Sequence, residues 1–305
     1  MFGRKPSKSA SPVTETSQEV REALHRLDVL AQTRPELAGP VQFSREIIPL
    51  LFEPARAHPV EFSEGEVSER LRSGTPLLRG ISIDIADAML LANWQNICTV
   101  LARLQEAEPP HRLCEAASRG ELLPRQALER VLAAGPAEFR TMLEDQGLDW
   151  RLGMSVLRLA ALPVLLPLAE ALAPIWQRRG WPYGYCPACG SWPLLAEFRG
   201  LEQFRWLRCG LCGSGWQVDR LFCPFCETRD HRQLQDLTLE GQEQKYRVSV
   251  CDNCRGYVRG MATLAPLTPP GLLVAELETL PLELLAQQQG YRVPDRPLDG
   301  SCDMI

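Results

Sequence analysis

The first 180 residues carry apolar side chains at helical spacing and show no strand-like alternation. Val20, Leu24, Leu27 and Ala31 predict a helix over 17–34. Ser63-Glu-Gly-Glu66 has the form of a capping box, opening a helix that carries Val67 and Leu71. Ile85, Met89, Ile97, Leu101 and Leu104 mark a long helix from about 84 to 105, stopped by Pro109-Pro110. Pro124 opens another, closed by Gly135. The most apolar stretch, 151–176, predicts a buried helix from about 153 to 178, kinked at Pro163 and Pro167. Its longest charge-free run is only 11 residues, Leu159 to Ala169. A membrane span needs about 20.

At Gly180-Trp-Pro-Tyr-Gly the texture changes, and Cys, Gly and aromatic residues dominate to 262. Short alternating stretches at 194–198, 204–208, 215–218 and 246–250 predict strands. After Pro269-Pro270 an amphipathic helix is expected from about 272 to 288.

Cys-x-x-Cys occurs four times in the middle region: Cys186/Cys189, Cys209/Cys212, Cys223/Cys226 and Cys251/Cys254. The pairs form two units with 19 and 24 residues between their knuckles, separated by 10 residues. Two knuckles can present four sulfurs to one tetrahedral ion, and the first unit fits the zinc-ribbon spacing. Glycines at 190, 210 and 213 suit the positive φ that such turns use. Cys186, Cys189, Cys209 and Cys212 are therefore expected to share one metal ion, and Cys223, Cys226, Cys251 and Cys254 a second. A thioredoxin-like redox pair would need a strand–Cys-x-x-Cys–helix setting, which Gly and Pro turns do not offer.

Of the 11 cysteines, Cys98, Cys114 and Cys302 stand outside these units. Cys98 and Cys114 read as small buried side chains and Cys302 as an exposed tail residue. None of the four histidines, His25, His58, His111 and His231, sits at ligand spacing. No phosphate loop, nucleophile elbow or dinucleotide fingerprint occurs, so no catalytic residue is assigned and no enzyme is expected.

Net charge is −5 over 305 residues. Between 181 and 260, ten Lys and Arg stand against nine Asp and Glu. That balance argues against the runner-up reading, a zinc-ribbon nucleic-acid binder stacking bases on Trp216, Phe222 and Tyr257. A rubredoxin-type electron carrier would leave the helical half without a purpose. The basic, then polar N-terminus lacks the apolar core of a secretory signal, so the expected location is the cytoplasm.

In order, after a helical half, the stretches YCPACG, LRCGLCG, FCPFC and VCDNCRGYV resemble the formate dehydrogenase accessory proteins of the FdhE family. The terminal LETLPLELLAQQQGY agrees more loosely. The resemblance implies a cytoplasmic factor that binds the catalytic subunit of respiratory formate dehydrogenase before export. It also implies rubredoxin-like modules holding iron, with zinc as the alternative. The expected architecture is α+β and multidomain. A tail (1–16) precedes an all-α domain (17–180). Two small rubredoxin-like or zinc-ribbon four-cysteine β modules follow (181–219 and 220–270), then a C-terminal helix and tail (271–305). Neither nucleic acid nor membrane insertion is expected, and weak self-association is allowed.

Overall fold

The computed structural model describes residues 17–52, 64–81, 83, 87–105 and 108–294. The expected tail at 1–16, the cap residue Ser63, His58 and Cys302 lie outside the described residues.

The N-terminal half is helical. It comprises α1 (Gln18–Thr33), α2 (Ala38–Leu51), α3 (Glu64–Arg72), α4 (Asp87–Gln105), α5 (Glu108–Ser118), α6 (Pro124–Ala134), α7 (Pro136–Asp145) and α8 (Trp150–Arg179). Helices α2, α5 and α7 were not among those predicted. Pro109 and Pro110 stand in the first turn of α5, where a missing N–H costs nothing, so they open that helix as well as following α4. Ser17 Oγ accepts from Val20 N at the start of α1. Asp149 caps α8, accepting from Arg151 N and Leu152 N at 2.9 and 3.1 Å.

Helix α8 runs through Pro163, Pro167 and Pro174 and ends at Gly180, whose φ of 81° only glycine adopts freely. It is long and apolar enough to cross a membrane, yet 72% of its most apolar window is buried by the rest of the chain. Neighbours on all sides, including Leu90, Trp94 and Phe139 in the same continuous core, explain its apolar circumference.

Six strands follow: β1 (Pro193–Arg199), β2 (Phe204–Cys209), β3 (Gly215–Gln217), β4 (Leu234–Leu237), β5 (Tyr246–Cys251) and β6 (Tyr257–Thr263). They form one sheet in the order β3-β2-β1-β6-β5-β4. Each knuckle unit contributes a three-stranded antiparallel ribbon. The first strand of one ribbon joins the last strand of the other, β1 pairing parallel with β6 from Leu195↔Arg259 to Arg199↔Thr263. The boundary placed at 219/220 from the repeat thus lies within one continuous sheet. Gly260 permits the junction: a Cβ there would stand 2.7 Å from the Phe198 ring and 3.2 Å from Ala196 O.

The single C-terminal helix expected at 272–288 is two helices, α9 (Pro269–Glu278) and α10 (Leu280–Gln288). Pro281 has no N–H to continue the first ladder, and the buried Thr279 hydroxyl donates to Ala275 O at 2.7 Å. Both helices cover one face of the sheet. Leu272 and Ala275 pack on Leu195 and Met261, and Leu282 and Ala286 pack on Val248 and Val250. Helix α9 also reaches back to α1, where Arg26 pairs with Glu278 at 2.8 Å.

Candidate metal centres

The eight knuckle cysteines gather in two sets, Cys186, Cys189, Cys209, Cys212 and Cys223, Cys226, Cys251, Cys254. Within each set all four sulfurs lie within 4.8 Å of one another. Sγ···Sγ distances are 3.3 Å for Cys189–Cys209 and 3.6 Å for Cys186–Cys212 in the first set. In the second they are 3.6 Å (Cys223–Cys254) and 3.7 Å (Cys226–Cys251). A tetrahedron whose corners stand about 2.3 Å from its centre has edges of about 3.8 Å, so both sets fit a small tetrahedral ion. Pairing follows the repeat, and no knuckle crosses from one unit to the other.

The four knuckles share one backbone design. The N–H of each first cysteine donates to the carbonyl five residues on, Cys186 to Ser191, Cys209 to Ser214, Cys223 to Thr228 and Cys251 to Gly256, each at 2.9 Å. The residue after each second cysteine is left-handed: Gly190, Gly213, Glu227 and Arg255, with φ between 57° and 79°. The glycine expectation holds at 190 and 213. Gly210 has no positive φ. Its N–H instead donates to Trp192 O at 3.0 Å, against which a Cβ would sit at 3.2 Å. Glu227 and Arg255 adopt the left-handed form without glycine. Arg255 is held by Asp252 at 3.0 Å, by Gln289 O at 2.6 Å and over the Tyr291 ring.

Surroundings separate the two sets. All four cysteines of the first are buried, none more than 3% exposed. Leu211 N and Cys212 N donate to Cys209 Sγ at 3.3 and 3.4 Å. Ser214 Oγ lies 3.1 Å from Cys186 Sγ and 3.3 Å from Cys212 Sγ. The helical half closes over the apex of the first knuckle, where Leu77 N and Leu78 N donate to Pro187 O and Ala188 O. In the second set Cys226 and Cys254 are half-buried, and Asn253 Nδ2 reaches Cys226 Sγ at 3.4 Å. Sequence reasoning did not single out Ser214 or Asn253, although both lie within two residues of a ligand cysteine. Leu77 and Leu78 carried no sequence signal, because their contact is made 110 residues away along the chain.

Burial, then hydrogen bonding among the thiols, pushes Cys209 and Cys212 well above the ordinary thiol range. Hydrogen bonds with Cys251 and Cys254, followed by burial, push Cys223 up as well. Hydrogen bonds from the neighbouring thiols hold Cys189 and Cys251 down instead, so within each set one thiol ionises at the expense of its neighbours, and all four can ionise together only with a cation among them. No histidine or carboxylate joins either set among the described residues. His231 stands exposed beside Asp230. Cys98 is buried on α4 and Cys114 half-buried on α5, away from both sets.

No family model matches the chain. It is 37% identical over 110 residues to the FdhE homolog of Stutzerimonas stutzeri, covering 35% of each chain. It is 28% identical over 144 residues to the FdhE homolog of Aquifex aeolicus, covering 45% of this chain and 48% of that one. Over 110 residues it is 31% identical to the FdhE protein of Escherichia coli O127:H6, covering 35% and 34%. The matches thus span about a third to a half of those relatives' length. The crystal structure of the FdhE protein from Pseudomonas aeruginosa shares the fold, with a TM-score of 0.55 and 20% identity over 93% of this chain and 96% of that one. The chain is thus similar in sequence to several FdhE proteins over about a third to a half of its length, and shares the fold of one FdhE protein along nearly all of it.

Proposed function

We propose that the protein is an assembly factor for respiratory formate dehydrogenase, holding that enzyme's catalytic subunit in the cytoplasm before export, and is not itself an enzyme. Similarity to FdhE proteins supports this reading, and the closure of both cysteine sets carries it. Four thiolates fill all four positions of a tetrahedral ion, so neither site keeps a place for a reacting water. The ion would supply a cross-link between two knuckles and, if it is iron, a one-electron couple.

The chain's own residues do the rest. Cys186 with Cys189 and Cys209 with Cys212 hold the first ion inside the molecule, and the N–H groups of Leu211 and Cys212 damp the thiolate charge. Pro187 and Ala188 tie that knuckle to the helical half. Cys223, Cys226, Cys251 and Cys254 hold the second ion near the surface. Iron is the ion that the family resemblance implies, and zinc accepts the same donors.

No nucleic acid is part of this function, since cationic and anionic residues nearly balance between 181 and 260. Membrane insertion is not part of it either, because α8 spends its apolar surface in the core.

The test is formate dehydrogenase activity in cells lacking this protein. Activity should fall, return with the wild-type gene, and fail to return with Cys→Ser at Cys186 or Cys251. The catalytic subunit should co-purify with the wild-type chain. Normal activity without the protein defeats the assembly reading, even if two ions are found in it.

A further inference from the structure

Arg205 belongs to the first knuckle unit by sequence, standing on β2, but its guanidinium serves the second. It lies on the sheet face opposite α9 and α10, beneath the segment 220–225 that leads into Cys223 and Cys226. Only 3% of the residue is exposed. Nη1 donates to Phe222 O at 2.6 Å and Arg220 O at 3.4 Å. Nε is buried with no hydrogen-bond partner.

The contrast with Arg208 on the same strand is informative. Arg208 is buried too, but Glu197, which also pairs with Arg199, stands 3.1 Å from it as a direct ion-pair partner. Arg205 has no carboxylate at ion-pair distance among the described residues. The acid that faces it, Asp236, bonds to Ser249 at 2.7 Å and lies 3.8 Å from Arg247. A buried guanidinium without a counter-charge at ion-pair distance is unfavourable. Beside it is a cavity of about 150 Å3, lined by Arg205, Asp236, Cys223 and Cys251. Burial lowers the pKa of Arg205, while the charges of Asp236 and Cys223 oppose that shift. Neutral thiols would leave Arg205 only Asp236, a carboxylate beyond ion-pair distance that Ser249 and Arg247 already share. A loaded site would not, because four thiolates outweigh the two or three positive charges of the ion.

We propose that Arg205 is the counter-charge of the second four-cysteine site, a positioning residue lent by the first knuckle unit to the tetrathiolate of Cys223, Cys226, Cys251 and Cys254. Loading of the second site then depends on a strand of the first. The proposal rests on the reading that these cysteines hold a metal ion.

The test uses the full chain loaded with zinc. Arg205→Gln keeps a donor for Phe222 O without the charge, and Arg205→Lys keeps the charge without the fork. Zinc release to a chelator is followed, with mass spectrometry showing which cysteines become alkylated. Arg205→Gln should lose the second ion at least tenfold faster than wild type, exposing Cys223, Cys226, Cys251 and Cys254 and sparing the first set. Arg205→Lys should stay close to wild type. Reconstituted with iron, Arg205→Gln should show a lower reduction potential at the second site, a change that a merely structural clamp would not produce. Equal release from wild type and Arg205→Gln, or equal loss in both variants, overturns the role of charge. If Arg205→Gln does not fold, the wild-type chain decides by NMR: the Arg205 Nε–H signal should move when the second site is loaded, and a signal indifferent to loading overturns the proposal. A wild-type chain that takes up no second ion would defeat the metal reading instead.

Discussion

The Cα of Gly184 faces the backbone of Pro224 so closely that an added Cβ would stand 1.8 Å from the Pro224 carbonyl oxygen. Gly184 precedes the first knuckle and Pro224 lies inside the third, so the two metal units touch here backbone to backbone. Aromatic rings continue the contact, Tyr185 meeting Trp192 and Trp192 meeting Phe225 edge-on at centroid distances of 6.4 and 5.1 Å. Gly184→Ala should therefore destabilise the protein by about 3 kcal/mol or more, because neither backbone can yield as a side chain would. Thermal unfolding of the loaded chain measures this. As a control, Gly39 in α2 has nothing within 4 Å of its Cβ position, and Gly39→Ala should be neutral or slightly stabilising.

Glu227 and Arg255 occupy equivalent left-handed positions but should respond in opposite ways to glycine. Glu227 is exposed, and the left-handed form costs an L-residue roughly 1–2 kcal/mol, more than the roughly 0.5–1 kcal/mol of extra chain entropy that glycine brings. Glu227→Gly should raise stability by up to about 1 kcal/mol. Arg255→Gly should lower it, since the same relief is outweighed by loss of the contacts with Asp252, Gln289 and Tyr291. Denaturant unfolding of the loaded proteins gives both signs.

Thiol reactivity should follow burial. Under limiting alkylation with a chelator at pH 8, Cys226 and Cys254 should be modified first, and one ion per chain should leave well before the other. Cys98 should stay silent until the chain unfolds. Burial, with a smaller contribution from Cys114, raises its pKa to about 12, so almost no nucleophilic thiolate exists at that pH. Simultaneous release of both ions would contradict this order.

The two sites should also differ in their hold on the helices. All four cysteines of the first set lie within the same apolar core as α4 and α8, against Cys223 and Cys251 alone of the second, and the first knuckle accepts hydrogen bonds from Leu77 and Leu78 at Pro187 and Ala188. A structural tetrathiolate contributes on the order of 10 kcal/mol, comparable to the stability of a whole domain. Cys186→Ser should lower the melting temperature of the helical signal in circular dichroism. Cys254→Ser, at the half-exposed site, should leave most helix in place. Equal melting of both variants would show that the second site supports the helices as firmly as the first.

Much of this was legible along the chain. The spacing of eight cysteines determined which of them gather in fours, because each knuckle is a local turn and each unit closes over about twenty residues. Helical periodicity located α1, α4, α6 and α8, the pattern around Val67 and Leu71 located α3, and Gly135 marked the end of α6, where φ is 88°. Helices α2, α5 and α7 were obscured by prolines and short apolar runs that read equally well as connections. Strand β6 was obscured because Gly260 weakens its pattern, and its reason for being glycine is the Phe198 ring packed against it from a strand about sixty residues away. Only the tertiary structure decided that the two ribbons share one sheet, that Leu77 and Leu78 hold the first knuckle, and that Arg205 donates to Phe222 O beside Cys223. Those relationships depend on long-range packing and on charges taken out of water together, which local sequence pattern does not record.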